Sequence, residues 1–111
     1  MSSLSTHVLD TACGRPARGM AIALWRDGAL LQRGTTNEDG RCPGFADCIE
    51  FAPGTYKLQF HVADYFRAQG TMLADPPFLD IVSIDFGMAD DGHYHVPLLV
   101  SPFAYSTYRG S

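Results

Sequence analysis

Histidine and arginine recur in this chain at spacings that strands would bring together. In the run His93-Tyr94-His95-Val96-Pro97-Leu98-Leu99-Val100, turning Tyr94, Val96, Leu98 and Val100 to a core leaves His93, His95, Pro97 and Leu99 on the opposite face. The opening run Leu4-Ser5-Thr6-His7-Val8-Leu9-Asp10 has the same form, with Ser5, His7 and Leu9 looking outward when Val8 looks inward. An imidazole with its ordinary pKa near ~6.5 can take or give a proton around neutrality. A surface carrying His7, Leu9, His95, Leu99, Ser106 and Tyr108 is both apolar and titratable, as a buried site or an interface should be. Pro97 cannot donate a ladder hydrogen bond, which predicts an edge strand or a bulge there.

Two arginines could serve the same surface. Arg41 follows the turn residues Asp39-Gly40, and Arg109 stands in the terminal peptide Ser106-Thr107-Tyr108-Arg109-Gly110-Ser111. In that peptide Tyr108 can pack, Arg109 can hold an anion and Gly110 lets the backbone turn closely. If the tail is extended, Ser106 and Tyr108 share one face while Thr107 and Arg109 take the other. His61 falls at a solvent position of its strand, and His93 reads either as a partner behind His95 or as a surface residue.

Alternation of apolar and polar residues dominates the rest of the chain. Tyr56, Leu58, Phe60 and Val62 alternate with Lys57, Gln59 and His61, and similar patterns run through Met20-Ile22-Leu24 and Val82-Ile84-Phe86. Arg26-Asp27-Gly28 predicts a tight hairpin, while Asn37-Glu38-Asp39-Gly40 and Ala52-Pro53-Gly54-Thr55 supply turn chemistry. Ala63 to Gly70 is the one helical candidate, with Gly70 as its stop. The expectation is one all-β domain over 1–111, a sandwich of seven or eight strands with one short helix.

Composition narrows the function. The 111 residues are 46% hydrophobic and 18% charged, ordinary for one globular domain, and the net charge is −4. Without a basic cluster, neither nucleic acid nor a membrane surface is a natural partner. The first residues form no signal peptide and no run approaches the ~18 apolar residues of a membrane helix, so the expected location is cytoplasmic. Cys13, Cys42 and Cys48 are odd in number and make no Cys-x-x-Cys pair, which predicts free thiols.

Four segments together resemble one family. Ser5-Thr6-His7-Val8-Leu9-Asp10, Thr36-Asn37-Glu38-Asp39-Gly40-Arg41, His93 to Pro102 and the terminal Ser106 to Ser111 are similar to the 5-hydroxyisourate hydrolases, transthyretin-related enzymes of urate breakdown. The resemblance covers essentially the whole chain, and the ending Tyr-Arg-Gly-Ser distinguishes the enzymes from hormone-binding transthyretins. It implies a transthyretin-like sandwich, 5-hydroxyisourate as substrate, and a homotetramer built as a dimer of dimers with sites in the channel between dimers. It also implies catalytic roles for His7, Arg41 and His95, substrate binding by Tyr108, Arg109, Gly110 and Ser111, and no metal or other cofactor. The segments Cys42 to Cys48 and Thr71 to Asp75 depart from the family pattern without touching those positions. A carrier without turnover is the competing reading, and it would want apolar walls rather than paired imidazoles. A zinc site built on His7, His93 and His95 would lack an evident carboxylate or thiolate to complete it.

Overall fold

The computed structural model describes residues 2–46 and 51–110, so Cys48 and Ser111 lie outside the described residues. The order of elements is β1(Ser3–Asp10), β2(Arg15–Pro16), β3(Ala21–Arg26), β4(Ala29–Thr35), α1(Pro43–Ala46), β5(Gly54–His61), α2(Val62–Ala68), β6(Ile81–Met88), β7(His93–Val100) and β8(Tyr105–Thr107). Two four-stranded sheets, β2-β1-β7-β8 and β4-β3-β5-β6, form a sandwich. The chain is all-β, as its alternation predicts.

The alternation closes the core. Leu4 and Val8 of β1, Leu98 and Val100 of β7, Leu24 of β3, and Leu58 and Phe60 of β5 are all fully buried. Burying each large side chain contributes roughly 1.5–3 kcal/mol. The β3–β4 hairpin turns on Asp27 (φ 52°) and Gly28 (φ 77°), the paired positive angles of a type I′ turn that matches strand twist.

Three local expectations need correction. β7 is not an edge strand, because β1 lies on one side of it and β8 on the other, and no bulge interrupts its pairing with β1. The carbonyls of Val96 and Val100 face β1, accepting from Thr6 Oγ1 and the Thr11 N–H, whereas those of His95 and Pro97 face β8, accepting from the Gly110 N–H and Thr107 Oγ1. The donor that Pro97 lacks therefore falls in a gap of the β8 ladder, between the Leu98–Thr107 pair and the His95–Gly110 bridge. Val62 continues the apolar alternation of β5 but belongs to α2. A second helix, α1, also forms, with Pro43 in its first turn and Phe45 fully buried. Four residues are too few to show a helical period.

The helix α2 was legible, ending before Gly70 at φ 84°. It buries Tyr65, whose hydroxyl donates to Asp10 Oδ2 at 2.7 Å at the end of β1. The N–H groups of Ala12 and Cys13 donate to Asp10 Oδ1 at 2.9 and 3.2 Å, so one buried carboxylate ties β1, the following turn and α2 together. Burial and the adjacent carboxylate hold the Tyr65 phenol neutral, far above its ordinary range.

Candidate active site

Parallel pairing of β1 with β7 sets the geometry of the histidine face. The register places Ser5 opposite His95, His7 opposite Pro97 and Leu9 opposite Leu99, and Leu99 in turn lies opposite Ser106 of β8. Residues opposite one another share a face, so His7 and His95 are diagonal neighbours on the outward side of the sheet. Both are half-buried, as are Ser5, Leu9 and Leu99.

Arg41 reaches this surface through the turn before it. Asn37 Oδ1 accepts the N–H of Asp39 at 2.9 Å and of Arg41 at 3.1 Å, and the Asn37 N–H donates to the Arg41 carbonyl at 2.8 Å. Gly40 sits at φ 76° with its carbonyl accepting the Val8 N–H at 2.8 Å, and a Cβ there would strike the Val8 carbonyl. Only glycine fits such a position. The resulting antiparallel bridge pairs Arg41 with His7. His7 Nε2 lies 2.8 Å from the Asp39 carbonyl, which can only accept; this nitrogen therefore carries the proton, and neutral His7 keeps its lone pair on Nδ1.

His95 is held from two directions. Its Nδ1 contacts Ser5 Oγ at 2.7 Å, and its carbonyl accepts the Gly110 N–H at 2.7 Å. Gly110 lies flat against the imidazole, so that a Cβ there would collide with the ring. Burial, the positive Arg41 and the neighbouring His7 and His93 lower the His95 pKa below its ordinary 6.5, leaving the ring neutral at physiological pH. Its Nε2 has no hydrogen-bond partner among the described residues.

The tail divides between the two sides of the sheet. Gly110 packs on His95, and Ser106 is on the histidine face beside Leu99. Arg109 is elsewhere: its guanidinium stacks 4.2 Å from the centroid of Tyr94, a residue turned to the core. The structure thus groups His7, Arg41, His95 and Gly110, and separates Arg109 from them. Tyr108, at 59% exposure, borders a cleft with Tyr94 and Arg109 between β6 and β8. His61 is half-buried with Nδ1 3.9 Å from Asp64 Oδ2, rather than simply solvated. The alternation of β1 places Ser5 on the outward face, and its bond to His95 follows from the β1–β7 register, which no local pattern encodes.

Other features bear on chemistry. Among the described residues no three His, Cys, Asp or Glu side chains are grouped to hold a metal. No helix there is long and apolar enough to cross a membrane. Cys13 is exposed as a free thiol, and the Cys42 side chain is buried in the core. Clefts on the outer face of β3 and β5, around Trp25 and Gln59, belong to the other sheet and do not reach the histidine face.

Comparison with known proteins identifies the family. The model of the HIUase/Transthyretin family matches residues 4–110. The chain is 56% identical to 5-hydroxyisourate hydrolase 2 of Rhizobium meliloti, over 97% of this chain and 95% of that protein. It is 36% identical to the 5-hydroxyisourate hydrolase of Klebsiella pneumoniae, whose solved structure superposes with a TM-score of 0.87 and full coverage of both chains. The transthyretin of sea bream, solved with thyroxine, is 29% identical with a TM-score of 0.81, covering 96% of this chain and 93% of that one. By its two-sheet architecture and by these matches over nearly its whole length, the chain belongs to the HIUase/Transthyretin family.

Proposed function

We propose that this chain hydrolyses 5-hydroxyisourate to 2-oxo-4-hydroxy-4-carboxy-5-ureidoimidazoline in urate breakdown. The observation that carries this reading is His95: a half-buried imidazole with Nε2 unpartnered among the described residues, positioned by Ser5 and Gly110, its pKa lowered by burial and by Arg41. Ring opening needs water to attack a carbonyl carbon. The carbonyl oxygen gains negative charge, the C–N bond then breaks, and the ring nitrogen takes a proton. His95 Nε2 is suited to accept the proton from water, and positioned bases of this kind contribute ~10²- to 10⁴-fold. Arg41 supplies the positive charge for the oxyanion. His7 donates Nε2–H to Asp39 and offers Nδ1 as an acceptor for water or substrate.

The tail is the remaining wall. Gly110 contacts His95, Tyr108 packs beside the substrate, and Ser111 supplies a hydroxyl. Arg109 acts through Tyr94, fastening the tail so that Gly110 stays on the imidazole. The histidine face is an open sheet surface bearing Leu9 and Leu99, which supports completion of the site by another copy in a tetramer. A thyroxine-type carrier is the weaker reading, because its identity is lower and its pocket has no use for an arginine beside a neutral imidazole.

The test follows the substrate directly. Urate oxidase generates 5-hydroxyisourate in a cuvette, and adding this protein with EDTA present is expected to speed the loss of its absorbance. No acceleration would remove the hydrolase reading. Sedimentation velocity tests the tetramer; a monomer at assay concentration would remove the shared site.

A further inference from the structure

Beyond its contact with Ser5, His95 stands at the end of a longer chain of hydrogen bonds. His95 Nδ1 contacts Ser5 Oγ at 2.7 Å, Ser5 Oγ contacts His93 Nε2 at 2.8 Å, and His93 Nδ1 contacts Ser3 Oγ at 2.7 Å. The arrangement follows from register, because Ser3 is opposite His93 and Ser5 opposite His95 on paired parallel strands. Serines at alternate positions of β1 and histidines at alternate positions of β7 therefore mesh into one row on one face.

A neutral imidazole has one donor and one acceptor, and a serine hydroxyl has one proton. Ser5 can therefore donate to only one of its two histidines and must accept from the other. In one direction His95 Nδ1–H donates to Ser5, Ser5 O–H donates to His93 Nε2, and His93 Nδ1–H donates to Ser3. His95 Nε2 is then bare, a base. In the other direction each bond is reversed, Ser3 O–H donates to His93 Nδ1, and His95 Nε2 carries a proton and can only donate.

We propose that Ser5 and His93 are positioning residues which, through the Ser5 hydroxyl, hold His95 with its proton on Nδ1 and its lone pair on Nε2. Neither touches the substrate. The proposal rests on His95 being the base, as above, but its central claim concerns the resting protein. In this direction His93 Nε2 takes the Ser5 proton that would otherwise be free to point at His95.

The tautomer can be read without substrate by long-range ¹H–¹⁵N correlation of the histidine side chains at neutral pH. Wild-type protein is expected to show His95 protonated on Nδ1. Ser5→Ala removes the acceptor for that proton, and His93→Leu frees the Ser5 hydroxyl to donate to His95; both are expected to shift His95 toward the Nε2–H form. Both should lower kcat about 10-fold or more with little change in KM, a part of the ~10²- to 10⁴-fold ascribed to a positioned base. Ser5→Thr, which keeps the hydroxyl, and His93→Gln, which returns an acceptor near Nε2, are expected to restore the Nδ1–H form and most of the loss. Unchanged backbone spectra confirm folding of each variant. An Nε2–H tautomer in wild type, or variants whose tautomer and kcat stay unchanged, would overturn the proposal. If the protein fails to open 5-hydroxyisourate but keeps the Nδ1–H form and its response to Ser5→Ala, the reaction assignment falls and the positioning by Ser5 stands.

Discussion

At the scale of single residues, the site depends on two imidazoles made different by their partners. His7 is obliged to protonate Nε2 by a backbone carbonyl, whereas His95 is held at Nδ1 by a hydroxyl that can work either way. Changing His95 to Asn is expected to cut turnover of 5-hydroxyisourate by about 10²-fold or more, the minimum ascribed to a positioned base, with an unchanged circular dichroism spectrum. A loss of fold together with activity would make it structural instead. The lowered pKa of His95 has a direction that pH can test. Its base form fills as pH rises through a value below 6.5, so kcat/KM should climb on the acid side and be level by neutrality. Arg41→Ala removes one of the causes and should move that acid limb upward toward 6.5, besides lowering the plateau. The linked stability has the matching sign: it is present above the ordinary imidazole value and lost as pH falls through the folded one.

At the scale of elements, positions are set by turns and by buried polar anchors. Gly40 brings Arg41 beside His7 by adopting a positive φ with its Cα pressed on the Val8 carbonyl. Gly40→Ala is expected to cost more than about 1 kcal/mol in urea unfolding and to displace Arg41 enough to reduce turnover. Full stability with full activity would show that the turn adapts. Tyr65 supports β1 from the other end through Asp10. Tyr65→Phe leaves one oxygen of a buried carboxylate without its donor, and the expected loss is about 1.5–3 kcal/mol in the same measurement. His7 is three residues away on the same strand, so activity at low urea should survive.

At the scale of the whole molecule, the tail joins the site to the sandwich. Gly110 is bridged to His95, and Arg109 spans to Tyr94 on the core side of the same sheet. Deleting residues 109–111 removes a cation–π contact of about 0.5–2 kcal/mol and the wall over His95. Activity should fall far more than stability, as compared by turnover and thermal melting. A large loss of stability with normal turnover would assign the tail to folding alone. The open histidine face, with Leu9 and Leu99 half-buried beside it, is the surface on which the proposed tetramer would complete the enclosure.

The sequence by itself determined the strands, their inward and outward faces and the β3–β4 hairpin, because period-two alternation and turn residues act locally. It also contained Gly40 and Arg41 as neighbours of a tight turn. Only the tertiary structure decided that β7 is an interior strand whose proline lies at a gap in the ladder. The same is true of Arg109 turning to Tyr94 rather than to Arg41, and of Ser5 standing between two imidazoles. The physical reason is common to all three. Each depends on which strand pairs with which, and in what register, between residues about ninety positions apart or across the strand order itself, and no local pattern encodes that choice.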